Sequence, residues 1–150
     1  MLLLPGGLAA GQLEVGGRLP ALGFEDQFGQ EHRLDEQARL VLFLPDRRAA
    51  RIARKALRDQ DQAALVARGI VGIGDISGMP LLITYALALP KLRDQPWLVL
   101  LGKAAEDTAV FPRQAEAVTL IRLEAGGITA VEYFTHKDRL REALGFPPEE

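Results

Sequence analysis

Three apolar runs of strand length constrain the fold of this chain more than any other feature of it. They lie at residues 39–44 (RLVLFL), 69–74 (GIVGIG) and 97–101 (WLVLL), and none shows the polar alternation of a half-exposed strand. Strands apolar on both faces belong in a sheet covered on both sides. The segments between the runs have helical period instead. Residues 47–59 carry Ala49, Ile52, Ala53, Ala56 and Leu57 on one stripe, the spacing of a helix with one buried face. Ser77, Gly78 and Pro80 read as a helix start, with Ser77 or Gly78 as the cap and proline in the first turn. Residues 81–89 are apolar almost all round, so a helix there is either sandwiched in the core or presented to a partner.

Hairpins frame this alternation. Residues 22–26 and 31–34 flank Gln27-Phe28-Gly29-Gln30 as a short hairpin. Residues 117–124 and 128–134 form a second pair across Ala125-Gly126-Gly127, whose glycines permit the positive φ angles of a tight turn. Thr135, with Asp138 three residues on, resembles a capping box that opens a terminal helix closing at Gly145, ahead of Pro147 and Pro148. The pattern predicts the α/β class, a mixed sheet with helices on both faces and an N-terminal hairpin extension. Its core should hold Leu40, Leu42, Phe43, Val71, Ile73, Leu98, Leu100, Leu120 and Ile121. At 150 residues the chain fits one domain, here residues 12–150. Residues 1–11 (MLLLPGGLAAG) stand apart because they carry no charge. Their small-residue run reads either as a shortened export signal, which makes the protein periplasmic or otherwise exported, or as an apolar N-terminus of a cytoplasmic protein.

The motifs Glu14-Val15-Gly16-Gly17-Arg18-Leu19-Pro20, Leu22-Gly23-Phe24-Glu25-Asp26-Gln27-Phe28-Gly29-Gln30 and Arg39-Leu40-Val41-Leu42-Phe43-Leu44-Pro45 resemble the opening of the peroxiredoxin and TlpA-like branch of the thioredoxin superfamily. The closing hairpin and helix are similar to that superfamily too. The resemblance implies a thioredoxin-like mixed sheet flanked by helices. It also places the family's redox C-x-x-C at Arg48 and Arg51, the peroxidatic threonine and cysteine near Ala49 and Ile52, and the cis-proline and threonine at Val118-Thr119. Only Thr119 matches; the cysteines and the proline are missing, so the resemblance implies the fold without the activity.

Composition bears on function mainly by exclusion. There are 0 cysteines, so the chain has no thiol for peroxide reduction, disulfide exchange or metal ligation. It is neither a thiol peroxidase nor a disulfide oxidoreductase. A net charge of -2 and 6% aromatic residues argue against nucleic-acid binding. No uncharged stretch is long enough to span a membrane. Gly72, Gly74 and Gly78 have the wrong spacing for a dinucleotide fingerprint and read as a loop. His32 and His136 lie far apart and read as exposed, so no metal or cofactor is expected.

The densest charge cluster supplies the candidate site: Asp46, Arg47, Arg48 and Arg51, continued by Arg54, Lys55 and Arg58. Guanidiniums beside a helix N-terminus suit a carboxylate or phosphate, while a solvated helix face accounts for the same residues. Two function classes follow. The first is a non-redox binding or adaptor module for a protein or peptide partner or a small anion; the second is an enzyme using non-thiol side chains in the former redox cleft. The apolar run at 79–89 adds a homodimer as a further expectation.

Overall fold

A computed structural model describes residues 12–149. The N-terminal segment 1–11, and with it the reading of an export signal, lies outside the described residues. Seven strands are present: β1 (Leu22–Asp26), β2 (Glu31–Leu34), β3 (Leu40–Leu44), β4 (Ile70–Asp75), β5 (Val99–Gly102), β6 (Val118–Glu124) and β7 (Gly127–Phe134). They make one sheet in the order β2-β1-β5-β4-β3-β6-β7. The three apolar runs supply its centre, β3 parallel to β4 and β4 parallel to β5. Antiparallel hairpins extend it on both sides. The second hairpin turns through Ala125 at φ 49° and Gly126 at φ 85°, the paired positive values that a two-residue type I′ turn requires.

The helices are α1 (Arg47–Ala56), α2 (Gln62–Arg68), α3 (Leu81–Ile83), α4 (Leu89–Asp94) and α5 (Lys137–Ala143). A π-helical turn, Thr84–Ala88, joins α3 to α4, and Ala105–Thr108 is a single 3-10 turn. On one sheet face Leu42, Val99 and Leu120 meet the apolar stripe of α1, with Leu140 of α5 and Leu65 of α2. The other face packs Val41, Phe43, Ile73, Leu100 and Ile121 against Phe24, Leu34 and Phe111. The Phe43 and Phe111 rings stack at 5.0 Å between centroids.

Of the expected core, Leu42, Phe43, Ile73, Leu100, Leu120 and Ile121 are buried. Leu40, Val71 and Leu98 are partly exposed. Three local expectations are corrected. Helical cover falls on one face: the buried residues of the α-helices join the first cluster, and the second is closed by the loop around Val110 and Phe111 and by Leu13, Leu19 and Leu22. Gly72 and Gly74 belong to β4, as the apolar run at 69–74 predicts and against their reading as a loop. A Cβ on Gly72 would come within 3.2 Å of the Trp97 ring, so the missing side chain is what seats that tryptophan. The capping residues also differ. Neither Ser77 nor Gly78 caps a helix; Ser77 instead donates its N–H to Asp75, and Pro80 precedes α3 without a side-chain cap. His136, not Thr135, occupies the cap position of α5, and its side chain makes no capping bond.

Candidate functional site

At the carboxyl end of β3 the chain passes through Pro45 into Asp46, whose extended backbone makes it the N-cap of α1. Asp46 Oδ1 accepts the Ala49 N–H at 2.9 Å, and Oδ2 accepts the Glu116 N–H at 2.7 Å. Both carboxylate oxygens are thus committed, one to the helix start and one to the loop before β6. The local geometry selects aspartate here, since a shorter or neutral side chain could not accept at both places at once. Glu116 itself takes φ 66°, a left-handed value unusual for a residue with a Cβ.

Arg47, Arg48 and Arg51 follow on the open side of α1, all exposed, while Ala49 and Ile52 turn inward and are buried. The positions where the resemblance puts a C-x-x-C, Arg48 and Arg51, therefore face solvent, and Ala49 and Ile52, where it puts the peroxidatic threonine and cysteine, lie in the core. Among the described residues, none of Arg47, Arg48, Arg51, Arg54 and Lys55 has a carboxylate within ion-pair distance. Arg58 does, at 3.3 Å from Glu149. Partial burial, with the charges of Arg51 and Arg47 beside it, pulls the Arg54 guanidinium below its usual pKa. Two grooves are open elsewhere on the surface, and the arginines line neither of them. They form a ridge, not the wall of a cleft.

Val118 and Thr119 lie in β6 and are fully buried, with Thr119 Oγ1 donating to the Pro112 carbonyl at 2.8 Å. Two further groups had no local signature in the sequence. Arg113 packs its guanidinium over the Phe43 ring at 4.6 Å, donates to the Thr108 carbonyl and pairs with Asp75 at 3.0 Å. Desolvation alone would raise the Asp75 carboxyl; the hydrogen bonds from Ser77 and Arg113 outweigh it and hold the group low. In β1, Asp26 is buried and accepts from Phe28 N, Gln30 N and the His32 ring at 2.7 Å. Burial opposes these bonds, which nonetheless hold the Asp26 carboxyl below its ordinary value, with His32 the largest lowering influence. His32 is accordingly a half-buried structural partner and not the exposed histidine expected.

The larger groove, about 230 Å³, is bordered by Glu25, Asp26, Tyr85, Arg93 and Lys103 among others. Its charged groups are already engaged. Lys103 pairs with Glu25 at 2.7 Å, a bond that raises the amine above its usual pKa and keeps it protonated. Arg93 donates to the Gln27 carbonyl at 2.8 Å. No cluster of three or more metal-ligating side chains occurs among the described residues. No helix there is long and apolar enough to cross a membrane.

No protein-family model matches the chain, and no curated protein matches it in sequence. Solved structures do match in shape. A peroxidoxin from Mycobacterium tuberculosis aligns at TM-score 0.59 and 14% identity, over 89% of this chain and 95% of that one. A peroxiredoxin-like protein from Aquifex aeolicus aligns at 0.55 and 14%, over 89% and 86%. The thioredoxin domain of a thiol-disulfide oxidoreductase from Bacteroides vulgatus aligns at 0.54 and 19%, over 89% and 96%. The fold is thioredoxin-like, and the chain that adopts it has no cysteine.

Proposed function

We propose that this cysteine-less thioredoxin-like chain is a non-redox binding module whose former redox end holds an acidic peptide segment of a partner protein through Arg47, Arg48 and Arg51. One observation carries the reading. Where the resemblance places a redox pair, three exposed guanidiniums stand beside the start of α1, and none has a carboxylate partner among the described residues. Arginine forks match carboxylates two bonds at a time. A ridge outside both grooves favours an extended partner laid across it over a small anion enclosed by protein. Asp46 serves as the positioning residue, because its two hydrogen bonds fix the helix start against the loop before β6.

The test is a binding titration with a glutamate-rich peptide at several salt concentrations. Binding should weaken steadily as salt rises, and the Arg48→Ala, Arg51→Ala double variant should lose most of it. Binding unchanged in the double variant refutes the site. The composition of residues 1–11 supports a companion reading in which the protein is exported. Native material beginning near Gly11 or Gln12 would support that, and native material beginning at Met1 would refute it.

A further inference from the structure

Two segments far apart in sequence meet around the larger groove, and each leaves bulky apolar side chains exposed at its border. Phe28, in the turn between β1 and β2, is 54% exposed; Leu81 and Tyr85, in the helical segment that runs from α3 into α4, are 73% and 59% exposed. Leu89 and Leu101 are buried and line the interior. Tyr85 belongs to the π turn, a rare geometry that concentrates at functional sites. At about 230 Å³ the groove falls below the ~300 Å³ at which drug-sized sites begin, so its size suits a small occupant.

The charges at the border select the kind of occupant. Four charged side chains stand there, and three are spent. Lys103 and Glu25 neutralise each other at 2.7 Å. The Asp26 side chain is 1% exposed and accepts from Phe28 N, Gln30 N and the His32 ring. Arg93 is left: it is exposed and has no carboxylate within ion-pair distance among the described residues. It is engaged at Nε alone, and that bond to the Gln27 carbonyl fixes the guanidinium at the border with its Nη donors unspent. A guanidinium fork fixed beside apolar walls fits a planar carboxylate, whereas Glu25 and Asp26 close by disfavour a multiply charged anion. We infer that the groove binds a small free carboxylate with an apolar body, an aryl or short alkyl acid, held by Arg93 and lying against Phe28 and Tyr85. Nothing in this inference depends on the arginine ridge, which lies outside the groove.

Titration of the full chain with phenylpropionate, followed by backbone amide NMR and calorimetry, tests it. The probe should bind saturably with a Kd of about 1 mM or below, shift the amides of Phe28, Tyr85 and Arg93 most, and leave those of Arg47 to Arg51 in place. Phenylpropanol, which keeps the body without the charge, and acetate, which keeps the charge without the body, should each bind about tenfold more weakly or worse. Arg93→Gln should weaken phenylpropionate about tenfold or more with the circular dichroism spectrum unchanged. Leu81→Glu covers the case in which that variant fails to fold: Leu81 lies outside the core, and a carboxylate there should weaken binding by repulsion. Absence of saturable binding, equal binding of the alcohol and the acid, largest shifts at Arg47 to Arg51, or unchanged affinity in Leu81→Glu overturns the inference. Tighter binding of a peptide that ends in phenylalanine overturns it too, and assigns the groove to a chain terminus.

Discussion

Replacing Asp46 with alanine removes two hydrogen bonds, the local cap of Ala49 and a bond to Glu116 that joins elements 70 residues apart in sequence. Loss of an N-cap costs about 0.5–2 kcal/mol. The second bond, from the Glu116 N–H to a charged oxygen at 2.7 Å, contributes about 1.5–3 kcal/mol when its acceptor is ionised. The two losses are not fully additive, because both follow from one side chain fixing one loop, so Asp46→Ala should destabilise by roughly 2–4 kcal/mol. In a domain of this size that lowers Tm by about 4–16 °C. Asp46→Asn separates the two contributions: its amide oxygen can still cap Ala49, while the NH₂ group that replaces the other oxygen cannot accept from Glu116. It should therefore fall between wild type and Asp46→Ala. The same substitution frees the start of α1 from the loop before β6, so peptide affinity should fall together with stability. Urea denaturation followed by Trp97 fluorescence, paired with the peptide titration, reads both quantities. A loss under about 0.5 kcal/mol for Asp46→Ala, or identical stability of the alanine and asparagine variants, would refute the account of Asp46.

Leu100→Ala should destabilise by about 2–5 kcal/mol, since Leu100 is 5% exposed in the second core cluster and its removal leaves a cavity; chemical denaturation measures it. Stability should hold at neutral pH and decline in acid. The hydrogen bond from Arg141 draws Asp59 down to about 2, and Asp26 and Asp75 are also held below their unfolded values. Each such carboxylate stabilises the fold above its unfolded pKa, and that contribution fades as pH drops through the folded one. The loss should run from about pH 5 toward pH 2 and be shallower in Asp59→Asn. Purified protein should neither reduce insulin disulfides nor consume hydrogen peroxide with a thiol donor, because it has 0 cysteines; stoichiometric peroxide loss in a metal-free assay would contradict that.

The central sheet was legible in the sequence because burial on two faces writes a local signal, an uninterrupted apolar run. β3, β4 and β5 follow those runs with shifts of one or two residues at their ends. The β6–β7 hairpin was equally legible, since Gly126 marks a turn that needs positive φ. Residues at the site were only half legible. The arginine cluster is contiguous, so sequence found it, yet the commitment of Asp46 to Glu116 was invisible because its partner lies far along the chain. Arg113 escaped for the same reason, and the Asp26–His32 pair, only six residues apart, escaped because it depends on a contact across the β1–β2 hairpin and not on spacing within one strand. The apolar run at 81–89 gave the composition of an apolar helix but not whether its own chain covers it, which depends on where the sheet and loops fall. The structure leaves most of that segment exposed.

The most direct test of the central claim, that the end of the fold which resembles a redox site is now an acidic-partner surface, is a glutamate-rich peptide titration followed by backbone amide NMR. The account predicts that the amides of Arg47 to Arg51 shift first and most, saturate with the peptide, and return toward their free positions as salt is raised. Largest shifts at the groove beside Tyr85 and Lys103, or shifts spread evenly over the surface, would contradict it.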